Sequence, residues 1–424
     1  MNLDQIDSRE KAIAFLDGYT EERKEELDTT KTRRPLVKSY MLETVSRDKP
    51  VPTLESIFDR ADCTLTPLDQ TLFRVFDRRD KRTRGFVEKL VDRYPVFYTC
   101  ESSKNMDPWV NHLVRSSSWL DHLWLSGRAF EQLMRIVLKY SPGNRYGRIV
   151  FQHESFFELG EVQEPGNGNT QEEEESQEPL FPGGDIFPTE EPDTFVSERR
   201  STRFTVLERL EVLKDILPNM QKIYHPLHAI AQVRFPARGR GGHDFYYFGK
   251  VTNRSDSFTD HRQHIQFVLR IYKKATEDTE TAMWQAKKVR PSKKASGEVE
   301  ISGAPVLLKF GQQLSHDTFD RFVRLTFGRK DNRFRLWGNP IRLGPCKVHI
   351  YGLDRHLWQP IFLELTDSHI VAIVPEGTCG NSIHRLVTNV QQFLDPAVEV
   401  WVGEHPYTEL INAEPGLDDI YATK

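Results

Sequence analysis

The chain has 424 residues, of which 38% are hydrophobic and 28% charged, and its formal net charge is −4. This composition is ordinary for a soluble globular protein, and the length suggests two or three domains. No apolar run approaches the roughly 20 residues that span a bilayer, and the first residues lack the apolar segment of a secretory signal. We therefore expect no membrane anchor and a cytoplasmic location.

The four cysteines lie far apart in the sequence and form no CxxC pair: Cys63, Cys100, Cys346 and Cys379. This spacing indicates no disulfide framework and no zinc finger, so we expect reduced thiols and no metal or cofactor.

The N-terminal part, residues 1–160, is predicted to be a helical domain. Residues 8–27 carry apolar side chains along one side of a charged helix. Residues 66–69 place a threonine, a proline and an aspartate in the order typical of a helix start. Apolar residues at helical spacing predict two further helices, over 107–114 and 126–138.

The composition changes abruptly at residues 161–198, which contain 12 Asp/Glu and no Lys/Arg. Such a segment buries too little apolar surface to offset the entropy of ordering. We therefore predict an acidic disordered linker that separates the helical domain from a second domain, residues 199–424.

The second domain is predicted to mix helices with an antiparallel sheet. Thr205 and Glu208 are spaced like a capping box and predict a helix that Pro218 ends. Side chains alternate over 228–235 and 263–271, which predicts half-buried strands, and 243–251 is predicted to be their hairpin partner. Further strands are predicted over 305–310, 332–337, 346–352, 359–365, 369–374 and 397–402, and further helices over 275–288, 315–327 and 381–394. Short links between strands favour antiparallel pairing, so the predicted class is α+β.

Positive charge is concentrated in residues 199–355, which hold 30 Lys/Arg against 15 Asp/Glu. Excess positive charge of this size attracts polyanions such as nucleic acid. Cations and aromatic rings on one sheet face are typical of proteins that bind single-stranded nucleic acid. The first predicted cluster is Arg234, Arg238, Arg240, Tyr246, Phe248 and Lys250; the second is Lys287, Lys288, Arg290, Lys293 and Lys294; the third is Arg329, Lys330, Arg333, Arg335 and Trp337.

The sequence therefore predicts a nucleic-acid-binding protein that captures phosphates electrostatically and stacks bases on Tyr246, Phe248 and Trp337. This prediction depends on the three clusters meeting on a single exposed surface. We also expect the acidic segment 161–198 to compete with nucleic acid for that surface.

An enzyme is the first alternative, namely a metal-dependent nuclease or phosphoesterase that uses Asp354 and Glu364. The lysine that restriction endonucleases carry two residues after the glutamate is absent, because Thr366 stands there. Histidine pairs occur at 225/228 and 261/264, but both are predicted at strand edges, where residues three apart face opposite ways. We therefore predict no catalytic residue and no metal ligand.

A non-catalytic subunit of a larger complex is the second alternative. Its partner protein would dock on the N-terminal domain through the tryptophan-rich segment 107–130.

The glycine turn at 375–382 precedes a helix, where free amides attract anions and a helix end activates a thiol such as Cys379. We interpret it instead as an ordinary turn capped by Asn381 or Ser382.

Overall fold

The computed structural model describes residues 3–29, 34–44, 52–140, 145–154, 201–284, 305–327, 332–374 and 377–412. Within these ranges the chain folds into two antiparallel sheets and nine α-helices. The class is therefore α+β, as predicted from the sequence. No helix in the described part of the chain is both long and apolar enough to cross a bilayer.

The first sheet has eleven strands, ordered β2-β3-β4-β5-β1-β11-β10-β9-β7-β8, with β6 paired to β1. The strand bounds are β1 Lys38–Glu43, β2 Cys63–Pro67, β3 Leu72–Asp77, β4 Arg82–Val91, β5 Tyr94–Thr99, β6 Asp121–His122, β7 Tyr146–Glu154, β8 Ser201–Arg209, β9 Ile230–Pro236, β10 Gly242–Tyr246 and β11 Lys250–Asn253.

The second sheet has seven strands in the order β13-β14-β15-β16-β12-β17-β18. Its bounds are β12 Pro305–Lys309, β13 Leu336–Gly344, β14 Lys347–Asp354, β15 Gln359–Thr366, β16 His369–Ile373, β17 Glu399–Val402 and β18 His405–Pro406. One face of its central strands is buried and the other is half-exposed, as the alternating side chains of β15 show.

The nine helices of the described residues are α1 Arg9–Thr29, α2 Leu54–Asp59, α3 Ser103–Ser116, α4 Gly127–Tyr140, α5 Leu210–Ile223, α6 Phe258–Trp284, α7 His316–Phe327, α8 Gly380–Phe393 and α9 Tyr407–Ile411. Side chains of α1, α4, α5 and the first half of α6 bury the main core of the first sheet. Side chains of α2 and α3 form a separate core against the same sheet. The second core contains residues of the end of α6 and of α7, α8 and α9, so α6 connects both halves of the molecule.

Helix α8 is buried along its whole length. Two of its glutamines bond to residues of the first half of the molecule, whereas Thr388 Oγ1 and Asn389 Oδ1 are buried without a hydrogen-bond partner among the described residues. Gln392 Nε2 donates to the Ile230 carbonyl over 2.9 Å, and Gln391 Oε1 accepts from the Gly127 amide over 3.0 Å. A fully buried helix with polar faces therefore sits where the two halves meet.

The prediction of a helical N-terminal domain is wrong, because seven of the eleven strands of the first sheet lie between Lys38 and Glu154. Helices α1, α3 and α4 are confirmed. The proposed helix start at 66–69 is instead the end of β2 followed by the beginning of the β2–β3 hairpin loop. Asp69 stabilises this turn, because its Oδ1 accepts from the amides of Thr71 and Leu72 at 2.6 Å each. An aspartate that bonds to backbone amides two or three residues later is typical of a turn as well as of a helix cap.

Two elements of the second domain were predicted with the wrong type: a predicted strand lies in a helix, and the start of a predicted helix lies in a strand. Residues 263–271 lie in α6 rather than in a strand, because Ile265, Val268 and Leu269 also fit helical spacing.

Ser257 directly precedes α6, and its Oγ accepts from the Asp260 amide over 3.1 Å. Asp17 of α1 adds a second cap, because its Oδ1 accepts from the amides of Phe258 and Thr259 at 2.8 and 3.0 Å. The spacing of Ser257 and Asp260 is a local signal of a helix start, whereas the cap from Asp17 leaves none.

The predicted capping box at Thr205 is likewise wrong, since Ser201–Arg209 forms β8 and α5 begins only at Leu210. Strand β8 pairs with β7 along nine residues on each strand, from Tyr146–Arg209 to Glu154–Ser201. The acidic segment 161–198 therefore connects two paired strands of one sheet instead of separating two domains. The disorder was predicted for residues 161–198, which lie outside the described residues.

The strand predicted over 332–337 begins only at Leu336, and the remaining strands predicted after residue 300 are confirmed in type.

Candidate functional site

Neighbouring strands of the first sheet bring several arginines together. Arg148 of β7 is the cross-strand neighbour of Arg234 on β9, and Arg234 in turn faces Asp244 on β10. Asp244 is fully buried, and its carboxylate accepts from Arg234 at 2.5 and 2.9 Å and also from Arg254. Two guanidinium groups thus share one carboxylate.

The pKa of Asp244 reflects the positive charge of the arginines around it. Burial alone raises the pKa of a carboxyl group, but Arg254 and Arg234 outweigh it and lower the pKa of Asp244 to about 2. The pKa of Arg148 is lowered, because the guanidinium is partly buried and lies near Arg234 and Arg254. Among the described residues, Arg148 has no hydrogen-bond or ion-pair partner.

The turn between β9 and β10 adds two exposed arginines, Arg238 and Arg240. Gly241 makes this turn with a φ of +80°, and a Cβ there would stand 2.1 Å from the Arg254 carbonyl oxygen. Only glycine therefore allows the turn to lie against the segment that carries Arg254. Arg145 joins the turn by donating to the Gly239 carbonyl. We define the arginine cluster as Arg145, Arg148, Arg234, Arg238, Arg240 and Arg254.

Three members of the first predicted cluster lie here, namely Arg234, Arg238 and Arg240, whereas its other three residues are buried. Tyr246 and Phe248 are 3% and 0% exposed. The Lys250 ammonium is fully buried and lies 3.0 Å from Asp107 Oδ2 of α3. The prediction that Tyr246 and Phe248 stack on bases is therefore wrong in this structure, and Lys250 neutralises a buried carboxylate.

The third predicted cluster does not join the arginine cluster. Arg333 lies over the Phe393 ring at 4.3 Å, and Arg335 points inward to Asp121 Oδ1 at 3.1 Å. Trp337 is 55% exposed, but it belongs to β13 of the second sheet. Arg329 and Lys330 lie outside the described residues, as does the whole second cluster, Lys287, Lys288, Arg290, Lys293 and Lys294. The described cations therefore do not converge on one surface as predicted.

Sequence reasoning also missed Arg145, Arg148 and Arg254, because each stands alone in the sequence. Arg148 and Arg145 lie in the part that was predicted to be a separate helical domain. Only the pairing of β7 with β9 brings them to Arg234. A prediction that β7 belongs to the same sheet as β9 would have been needed to find them.

The two carboxylates of the predicted nuclease site lie on opposite faces of the second sheet. Asp354 points into the protein and is 2.5 Å from Arg385. Glu364 points outward and pairs with Lys347 at 2.8 Å and His349 at 2.7 Å. These two carboxylates therefore offer no shared place for a metal ion.

The histidines that were predicted at a strand edge lie on α6. His261 and His264 are one helical turn apart and fully buried, and both pack against His243 of β10, with ring centroids 5.0 and 5.1 Å away. His225 and His228 lie at the two ends of a separate short 3-10 helix.

The tryptophan-rich segment 107–130 belongs mainly to the core, since Trp124 and Phe130 are buried and Trp109 and Trp119 are half-buried.

The glycine turn before α8 lies at the junction of the two sheets. Cys379 occupies the N-cap position that we predicted for Asn381 or Ser382. The Gly380 amide donates to Glu280 Oε1 of α6 over 3.0 Å, so a carboxylate of the chain already occupies this helix end. Burial together with the charges of Glu43 and Glu280 raises the pKa of the Cys379 thiol well above its ordinary value. The helix end therefore does not activate Cys379 as a thiolate nucleophile.

The fold is thus a two-sheet α+β architecture with a buried polar junction and an arginine cluster on the larger sheet. The sequence profile of the family described as MJECL33-like protein matches residues 2–173 and 229–408, and the chain belongs to this family. The unmatched stretch between these ranges holds most of the acidic segment together with β8 and α5.

The chain is similar to the uncharacterised protein MJECL33 of Methanocaldococcus jannaschii. That protein is 23% identical to this chain over 386 residues, which cover 88% of each protein. No solved structure matches the chain.

Proposed function

We propose that this protein binds nucleic acid through the arginine cluster. The observation that supports this proposal is the unpaired guanidinium of Arg148 beside Arg234 and Arg254, which share a single carboxylate. Three positive charges around one buried negative charge leave a local surplus that a phosphate group would neutralise.

The solvent exposure of the arginine side chains also supports phosphate binding. The side chains of Arg234 and Arg254 are 26% and 23% exposed, and Arg238 and Arg240 on the adjoining turn are open to solvent. Arginine presents a planar fork of donors that matches the oxygens of a phosphate, so partly buried arginines on rigid strands are well suited to bind one.

The chemistry of this cluster favours contacts to the backbone of the nucleic acid over contacts to its bases. Tyr246 and Phe248 are enclosed in the protein, so the cluster offers guanidinium groups without accessible rings from these positions. Phosphate contacts carry no sequence information of their own. We therefore expect binding that depends strongly on salt and weakly on sequence.

The test is binding of labelled single-stranded and double-stranded oligonucleotides to the full chain at low salt. Arg148→Gln removes the unpaired charge and keeps a polar side chain of similar length, so we expect affinity to fall about tenfold, as for one lost phosphate contact. Arg60→Gln is the matched control, because Arg60 is an exposed arginine at the end of α2. Equal affinity of wild type and Arg148→Gln, or no binding by the wild type, would exclude the proposal.

A further inference from the structure

Three side chains with metal-binding atoms meet where the two sheets join. Glu43 ends β1 of the first sheet, His356 lies in the turn between β14 and β15 of the second sheet, and Cys379 caps α8. All three are 0% exposed. No other set of three His, Cys, Asp or Glu side chains in the described ranges brings its ligand atoms as close together.

The distances suit a single small ion. Glu43 Oε2 is 3.0 Å from Cys379 Sγ and 3.6 Å from His356 Nε2, and all three ligand atoms lie within 4.8 Å of one another. Bond lengths of about 2.0–2.3 Å at tetrahedral angles put the ligands of a zinc ion about 3.3–3.6 Å apart. The two separations from Glu43 Oε2 lie within a few tenths of an ångström of these values, and Cys379 Sγ and His356 Nε2 are at most 4.8 Å apart, so the ligands would close around an ion by up to about one ångström.

The orientation of His356 is the second independent observation. Its Nδ1 is 3.1 Å from the Ser118 carbonyl oxygen, which only accepts, so Nδ1 carries the proton. Nε2 faces Glu43 and Cys379, and within the described residues this buried atom makes no hydrogen bond. Nε2 is therefore the ring atom that would bind a metal ion. A histidine whose other nitrogen donates to a carbonyl is the usual arrangement of a metal ligand.

The charges of the junction lead to the same conclusion. Four buried carboxylates, Glu43, Glu280, Asp121 and Asp354, face three guanidinium groups, Arg93, Arg335 and Arg385. One negative charge is thus left over when all four carboxylates are ionised, and metal binding would add a second by converting the Cys379 thiol to a thiolate. A divalent cation would balance both, whereas uncompensated buried charge is costly.

We infer that Glu43, His356 and Cys379 bind one zinc ion that joins the two sheets. Sulfur, nitrogen and oxygen ligands together suit zinc, whereas magnesium and calcium prefer oxygen alone. Cys379 gives up its thiol proton to solvent as the Zn–S bond forms, and Glu43 binds through Oε2 while Oε1 stays 3.0 Å from Arg93. Because the three ligands are fully enclosed and come from elements of both sheets, we assign the ion the role of joining the two sheets.

The first test is the metal content of the full-length protein purified without chelators. We expect about one zinc per chain in the wild type and loss of at least nine-tenths of it in Cys379→Ala and His356→Ala. Cys63→Ala is the matched control, because Cys63 is also buried but lies in the separate core of α2 and α3. It should keep its zinc. Stoichiometric zinc in Cys379→Ala would overturn the inference.

A second measurement keeps the inference testable if the variants fail to fold. Cobalt(II) exchanged into the wild-type protein should give the near-ultraviolet sulfur-to-cobalt charge-transfer band of a thiolate ligand. Cys379→Asp, which restores an oxygen ligand, should bind cobalt without that band. A wild-type protein that carries no zinc as purified and shows no such band on saturation with cobalt would contradict a metal site, and the three residues would then be a hydrogen-bonded group only.

Discussion

Arg385 links the two halves of the molecule through two carboxylates that come from different sheets. Its guanidinium contacts Asp121 of β6 and lies 2.5 Å from Asp354 at the end of β14. Asp121 lies in a buried environment, which by itself raises the pKa of its carboxyl group, but Arg385 and Arg335 outweigh burial and hold the pKa well below its usual range. The pair of Arg385 with Asp121 is therefore charged at neutral pH.

We predict that Arg385→Met destabilises the protein by about 3–5 kcal/mol, because it removes the guanidinium partner of the buried Asp354 and leaves the buried Asp121 with Arg335 alone. Urea denaturation measures this loss as a lower midpoint at an unchanged slope. The control is Arg342→Met, since Arg342 pairs with Asp320 on the surface and such pairs contribute about 0–1 kcal/mol. Equal losses in the two variants would show that the buried pairs do not hold the junction together.

Local sequence patterns do not indicate that Arg385 joins the two halves. Arg385 and Asp121 are 264 positions apart, and each is an ordinary charged residue on a helix or beside a strand. The same holds for Glu43 and His356. The patterns that predicted α8 correctly report which residues are apolar, but they contain no information about which distant charges a buried helix will meet.

At the scale of elements, α6 and β10 are joined by three buried histidines. His261 Nε2 is 2.8 Å from Ser39 Oγ, and its Nδ1 is 3.2 Å from His243 Nδ1. Burial and the proximity of His243 lower the pKa of both His261 and His264 well below 6.5. These two rings are therefore neutral in the folded protein at pH values where the unfolded chain takes up protons.

We predict that stability falls as the pH is lowered below about 6.5, since only the unfolded chain gains those protons. Each such histidine contributes a slope of about 1.4 kcal/mol per pH unit until its folded-state pKa is reached. In His264→Phe the free energy of unfolding should depend less steeply on pH between 6.5 and 5. Exposed His405 is the control, and His405→Gln should leave the slope unchanged; an unchanged slope in His264→Phe would refute this explanation.

The hairpin of β7 and β8 carries the acidic segment 161–198 as its connection. We predict that replacing this segment by a neutral glycine-serine linker tightens nucleic-acid binding at low salt, because twelve acidic side chains no longer compete for the arginine cluster. The difference should vanish at high salt. A scrambled segment with the same charge is the control and should bind like the wild type; unchanged affinity of the neutral variant would rule out competition.

At the scale of the whole molecule, the α+β class and the antiparallel pairing could be predicted from alternation and short links. The assignment of strands to domains could not, because β1–β7 and β8–β11 form one sheet across the acidic segment. Local patterns identify a strand but not its partner, and pairing between distant strands decided both the domain organisation and the position of Arg148.

The central claim is that the arginine cluster neutralises phosphates, and the salt dependence of binding tests it most directly. Each phosphate contact contributes about 0.7–0.9 to the slope of log K against log salt concentration. For a duplex we therefore expect the slope of Arg148→Gln to be smaller than that of the wild type by about 0.9, and the slope of Arg60→Gln to be unchanged. Identical slopes for all three proteins would contradict the account.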